Sequence, residues 1–314
     1  MKTAMNILIS ILLLVVVLSF TLVYINTHPP KYSIHIPPSE YKADYEEASF
    51  TSADGIALKG WLVKPARQVQ KSSAIIICHG VGANRSDFTG LAASLSQRGH
   101  FVLLFDFRAH GESGGSRTSL GYHEQKDIDA ALAFLKTRRD EIDPKRIGIY
   151  GFSMGGSTAI LAAARTGAFS AVVADSAFTS LRDQARDAIT RFYHLPAFPF
   201  TQLAVLGYEL YFQTRVDSVS PIRVIAAIAP RPVLIIAGEG DKLIPADNGR
   251  KLFAAAGKPK ELWMIPGADH GGTLAAAGSE YEERVGEFFD KNLKPNSSDI
   301  LAFYSDLRTI PHFF

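Results

Sequence analysis

Cysteine is nearly missing from this chain. Cys78 is the only one among 314 residues, so no internal disulfide can staple the fold and no thiolate cluster can hold zinc. Cys78 itself closes the apolar run Ala74-Ile75-Ile76-Ile77, where a small buried hydrophobe fits. An excess of charge of either sign is also missing. The formal net charge is +2 and charged residues make up 20% of the chain, which argues against nucleic acid as a partner. Hydrophobic residues reach 47%, too many for a disordered chain. The sequence has no phosphate-binding glycine loop, no metal-ligand spacing and no internal repeat. No metal or organic cofactor is therefore expected, and nothing in the sequence fixes an oligomeric state.

What is present begins with a long apolar run. From Ile7 to Ile25 only Ser10, Ser19, Thr21 and Tyr24 interrupt it mildly, and as a helix it would be about 28 Å long, one bilayer crossing. A cleaved signal peptide would have a shorter apolar core and a small-x-small site after it. Here Tyr24-Ile25-Asn26-Thr27-His28-Pro29-Pro30 follows instead, so residues 1–25 read as an uncleaved membrane anchor. Lys2 precedes the run while Lys31 and Lys42 follow it, a weak signal from which we expect a short amino-terminal tail and an extracytoplasmic domain. Residues 26–43 hold Pro29, Pro30, Pro37 and Pro38 and read as a semi-extended linker that lifts the domain off the membrane.

Residues 44–294 alternate strand and helix signals. Phe50 to Val63 reads as a hairpin around Asp54-Gly55. Apolar runs at Ala74–Cys78, Phe101–Asp106, Arg146–Tyr150, Ala171–Ala174, Val233–Ala237 and Leu262–Ile265 read as buried strands, with helix-spaced apolar residues between them. This order predicts an α/β fold, a mostly parallel sheet covered by helices on both faces. Residues 177–220 break the alternation. They are rich in aromatics, including Phe178, Phe192 and Phe198, and read as a helical lid whose aromatics would suit an apolar substrate group. Residues 295–314 form a tail to which no role is assigned.

Gly151-Phe152-Ser153-Met154-Gly155 carries the chemistry. A strand pattern precedes it and an alanine-rich helix pattern follows it. In a sharp strand-to-helix turn a serine is strained and exposed to substrate, and glycines are needed where the backbone leaves no room for a β-carbon. A serine hydroxyl is a poor nucleophile without a base. Of nine histidines, His270 lies just past the last strand among Gly267, Gly271 and Gly272, at the sheet edge where active-site groups gather. It is the expected general base. The carboxylate that orients it should be Asp241, in Gly238-Glu239-Gly240-Asp241 past the preceding strand. Asp175, Glu239 and Asp269 compete, Asp175 first among them. Backbone N–H groups of Met154 and of Val81, in His79-Gly80-Val81-Gly82, are the expected oxyanion donors.

These pieces, in this order, resemble the α/β-hydrolase superfamily from about Tyr45 to Leu293. The resemblance rests on Cys78-His79-Gly80, the stretch Phe105 to Ser113, Gly-x-Ser-x-Gly, Gly-x-Gly-Asp and Gly-Ala-Asp-His. The layout is similar to membrane-tethered hydrolases of this superfamily described as esterase-like or peptidase-like. The superfamily usually has Arg-Gly-His-Gly where this chain has Arg108-Ala109-His110-Gly111, a change expected to touch one loop beside the pocket and not the Ser-His-Asp set. Arg108, Glu112, Glu124 and Asp127 are expected to hold that loop.

The expected function is hydrolysis of a carboxylic ester with an apolar, small-molecule or lipid-like acyl part. The alternatives are an aminopeptidase-like peptidase, an acyltransferase or thioesterase, and a non-catalytic tethered binding protein. A peptidase trimming free amino termini needs an acidic group in its pocket, and Asp183, Asp187, Glu209 and Asp217 are the available candidates in the insertion.

Overall fold

The computed structural model describes residues 1–67 and 71–294. The tail 295–314 lies outside the described residues. Eight strands form one sheet: β1 (Tyr45–Thr51), β2 (Ala57–Val63), β3 (Ser72–Cys78), β4 (Phe101–Phe105), β5 (Ile142–Phe152), β6 (Ala171–Asp175), β7 (Val233–Gly238) and β8 (Lys260–Ile265). Their spatial order is β1-β2-β4-β3-β5-β6-β7-β8. The β1–β2 and β2–β4 pairs are antiparallel, and every pair from β4 to β8 is parallel. The Asp54-Gly55 turn joins β1 to β2 with Gly55 at φ 84°, as a hairpin turn of this kind asks.

The parallel strands are continuous apolar runs because both faces of the sheet are covered. Ile76, Leu103, Ile149 and Ile235 point to one face and pack with α3 (Glu124–Lys136), α4 (Met154–Arg165) and α8 (Asp247–Ala255). Their neighbours Ile75, Ile77, Val102 and Leu234 point to the other and pack with α2 (Thr89–Gln97) and α10 (Ser279–Asn292). Strand periodicity alone divides these side chains between two cores.

The insertion between β6 and β7 is helical. It holds α5 (Leu181–Asp187), a π-helical turn (Ala188–Phe192), α6 (Ala197–Phe212) and the short α7 (Pro221–Val224). A small α9 (Thr273–Ala277) follows β8.

The amino-terminal run forms one helix, α1 (Lys2–Thr27), long and apolar enough to cross a membrane, with a mean hydropathy of 2.9. Its later turns lie against α6, where Val15, Leu18 and Val23 pack with Ile189, Phe200 and Ala204. The segment after α1 does not stand away from the domain as a spacer would. The Asn84 side chain donates to the Tyr32 and Ser33 carbonyls, the Thr89 hydroxyl donates to the Ile36 carbonyl, and Lys31 Nζ donates to the Ser113 carbonyl. Its prolines removed donors, but its carbonyls found partners on the domain surface.

Candidate active site

Ser153 sits between β5 and α4 at φ 56° and ψ −118°. This backbone region costs a side-chain-bearing residue of order 1–3 kcal/mol, so the surroundings must enforce it. They do so through close packing of the turn on β3. A β-carbon on Gly155 would collide with the Cys78 carbonyl, and one on Gly151 would collide with the backbone of Gly155. The glycines on either side of the serine are therefore steric requirements. The Ser153 N–H donates to the Asp175 carbonyl at 2.8 Å, tying the turn to β6 as well.

His270 arrives from the loop after β8. Its Nε2 lies 3.1 Å from Ser153 Oγ, and its Nδ1 lies 2.7 Å from Asp241 Oδ2. The ring also packs on Phe152 with centroids 5.1 Å apart. Asp241 comes from the loop after β7. Its second oxygen, Oδ1, accepts the backbone N–H groups of Leu243 at 2.9 Å and Ile244 at 2.8 Å. The carboxylate is held from one side by those two donors and presents the other side to the histidine. A neutral His270 then carries its proton on Nδ1 and offers a lone pair to the serine hydroxyl.

Two of the competing carboxylates, Asp175 and Glu239, are engaged elsewhere. Asp175 accepts hydroxyls from Thr273 and Tyr281, each at 2.6 Å, and from Ser176 at 2.8 Å. Full burial raises its pKa. Three side-chain hydroxyls thus satisfy it. Glu239 pairs with Arg250 at 3.6 Å on the surface.

The loop after β3 lies beside the serine. A β-carbon on Gly80 would come within 3.2 Å of Ser153 Cβ and crowd the Phe152 ring, so glycine lets the loop lie close to the serine. His79 Nδ1 donates to the Gly80 carbonyl at 2.7 Å, and its Nε2 accepts the Phe107 N–H at 3.0 Å. Burial holds its pKa well below the ordinary value, in keeping with a neutral ring that orients this loop. The sequence reading gives the His79 ring no part. Val81 and Met154 both border the cavity above the serine, and Met154 opens α4, so its N–H has no partner within the helix.

The cavity above Ser153 measures about 370 Å³, within the size range of small-molecule sites. Phe152, Phe178, Leu181, Ile189, Val205 and Tyr208 contribute to its wall. Among the described residues the lining includes no Asp, Glu, Lys or Arg; Ser153 and His270 mark its floor. Phe178 thus lines the pocket as expected from sequence, but Phe192 and Phe198 do not. They are 67% and 75% exposed, on the outside of the insertion. The insertion is apolar on more than one side, so aromatic content alone does not tell which residues turn inward. Phe198 also sits at a break in α6, at φ −97° and ψ 134°, which turns it off the helical path. In their place α1 supplies Leu22, Val23, Asn26 and Thr27 to the wall. These four lie in or directly after the apolar run, where sequence pattern signals a membrane and nothing signals a pocket.

The Arg108 loop is held as expected. Arg108 pairs with Asp127 and Asp54, and Glu124 accepts from Thr118, Ser119 and Gly121. Ala109 adopts φ 63°, the left-handed conformation that glycine takes without strain.

Strand order, the serine turn and the insertion define an α/β-hydrolase, and comparison with known proteins agrees. The prolyl oligopeptidase family model matches residues 86–296, so the chain belongs to that family and is a serine hydrolase. YqkD of Bacillus subtilis is 32% identical over 241 residues, covering 76% of this chain and 77% of that protein. Rv2307c of Mycobacterium tuberculosis is 34% identical over 218 residues, 69% of each chain. Among solved structures, the Pyrococcus furiosus esterase Pf2001 is 27% identical with a TM-score of 0.69, covering 85% of this chain and 100% of its own.

Proposed function

We propose that this protein hydrolyses carboxylic esters with an apolar acyl or alcohol part through an acyl-enzyme on Ser153. The observation that carries the reading is the hydrogen-bonded series Ser153–His270–Asp241 beneath an uncharged, apolar cavity. Ser153 Oγ attacks the ester carbonyl and His270 Nε2 takes its proton. The carbonyl oxygen becomes an oxyanion, which the Val81 and Met154 N–H groups stabilise. His270 returns the proton to the departing alkoxide, so the alcohol leaves neutral. Water then attacks the acyl-serine by the same route, giving the carboxylic acid and restoring the serine. Asp241 holds the imidazole tautomer and offsets its transient charge.

The family's name favours a peptidase as the second reading. The lining speaks for esters. Trimming a free amino terminus requires a carboxylate near the serine, and the four candidates are committed elsewhere. Asp183 accepts from Ser180, Asp187 lies 3.5 Å from Arg186, Glu209 accepts the Val216 N–H, and Asp217 pairs with Arg182. The likeness to an archaeal esterase points the same way. The test is hydrolysis of 4-nitrophenyl butyrate and labelling by a fluorophosphonate probe. Wild type is expected to do both and Ser153→Ala neither. Turnover and labelling unchanged in Ser153→Ala would sink the assignment, and faster cleavage of aminoacyl amides than of esters by wild type would favour the peptidase. The apolar α1 supports attachment of the domain to a membrane.

A further inference from the structure

The helix that reads as a membrane anchor is also a wall of the substrate pocket. Leu22 and Val23 belong to the apolar run Ile7–Ile25 and line the cavity over Ser153. The cap helix α6 runs alongside α1 in the same direction. Val15 and Leu18 pack in the cluster of Phe200 and Ala204, Phe20 and Val23 flank Gly207, and Tyr211 bonds His28 at 3.1 Å. From Val15 to Ile25 this contact follows the anchor for about 15 Å, half the thickness of a hydrocarbon core. If the run crosses a bilayer, the cap must enter the nearer leaflet with it.

The surface of the cap suits that position. Phe192, at the end of the π-helical turn, is 67% exposed, Phe198, at the start of α6, is 75% exposed, and Leu206 and Leu210 are 47% and 63% exposed farther along α6. A cap in water would leave these large side chains largely exposed, whereas in lipid their burial is favourable. Arg191 is exposed next to Phe192. Its guanidinium would reach toward the headgroups along its apolar stem.

We propose that the cap sits in the leaflet beside α1 and that the pocket takes the long acyl chain of a membrane-resident ester directly from that leaflet. This rests on the serine-esterase reading above and on α1 spanning the membrane. The absence of charge from the lining fits such a substrate, because a fatty chain asks for apolar contact along its length and a polar group only at the ester. Asn26, at the end of α1, donates through Nδ2 to the Tyr193 hydroxyl at 2.9 Å, and both residues lie on the pocket wall.

The test uses the full chain in phosphatidylcholine vesicles with two probes, 4-methylumbelliferyl oleate dissolved in the vesicles and 4-nitrophenyl butyrate in water. Phe192→Asp with Phe198→Asp alters only exposed side chains. It is expected to keep the butyrate rate within about threefold and to lower the vesicle oleate rate at least tenfold. Val23→Trp fills the wall and is expected to lower the oleate-to-butyrate ratio at least tenfold. An unchanged oleate-to-butyrate ratio in either variant overturns the inference. A wild type that hydrolyses neither probe and takes no fluorophosphonate label refutes the esterase reading instead.

Discussion

Replacing Asp241 by Asn should silence the enzyme without unfolding it, and the reason lies in which oxygen of Asp241 faces which donor. Oδ1 accepts the Leu243 and Ile244 N–H groups, and Oδ2 faces His270 Nδ1. An asparagine must keep its carbonyl oxygen toward the two backbone donors, since turning its NH₂ there would set donor against donors. The NH₂ then points at His270 Nδ1, which can only accept. The imidazole proton is forced onto Nε2, 3.1 Å from Ser153 Oγ, and the base can no longer take the serine proton. For the corresponding Asp-to-Asn change in a Ser-His-Asp enzyme the loss in kcat is about 10⁴-fold, equivalent to about 5.4 kcal/mol of barrier. We expect the same order here, read as kcat for 4-nitrophenyl butyrate near pH 7.5. Thermal unfolding should move little, because the two backbone bonds survive. Asp175→Asn is the comparison. It loosens a buried hydroxyl network and should lower stability, but the tautomer of His270 is not set by Asp175. A loss below tenfold for Asp241→Asn, or a larger loss for Asp175→Asn in folded protein, would refute the assignment of the carboxylate.

Two further perturbations probe the loop that supports the site. Ala109→Gly relieves a left-handed alanine worth about 1–2 kcal/mol, but costs about 0.5–1 kcal/mol of chain entropy and about 0.8 kcal/mol for a buried methyl. The near-cancellation predicts a stability within about 1 kcal/mol of wild type by denaturant unfolding in detergent, and a larger change either way contradicts it. The hydrogen bond from Arg108 lowers the Asp54 pKa. A depressed folded-state value means its stabilisation is present above the unfolded value of about 3.9 and lost as pH falls through the folded one. The difference in Tm between wild type and Asp54→Asn should therefore be constant above about pH 5 and shrink below about pH 4. A difference that does not change with pH would show that the ion pair contributes nothing through ionisation.

Much of this protein was legible in its sequence because the determining interactions are local. Short continuous apolar runs separated by helix-period runs imply a mostly parallel, doubly covered sheet, and that is the fold. Gly151 and Gly155 announce places where backbone must approach backbone, and both of them do. The chain order of Ser153, Asp241 and His270 at strand ends follows from where a parallel sheet delivers its loops.

Three matters were decided only by tertiary structure. Chain order ranks Asp241 above Asp175, and only the seat of His270, with Thr273 and Tyr281 closing on Asp175, brings one of the two to the ring. Phe178, Phe192 and Phe198 look alike as cap aromatics, and only the packing of the cap turns Phe178 inward and leaves the other two outside. The apolar run of α1 satisfies a bilayer and a pocket wall equally well, since both ask only for the removal of hydrocarbon from water. Hydrophobicity has no direction, so the sequence determines that these side chains avoid water, and the folded chain determines what they meet instead.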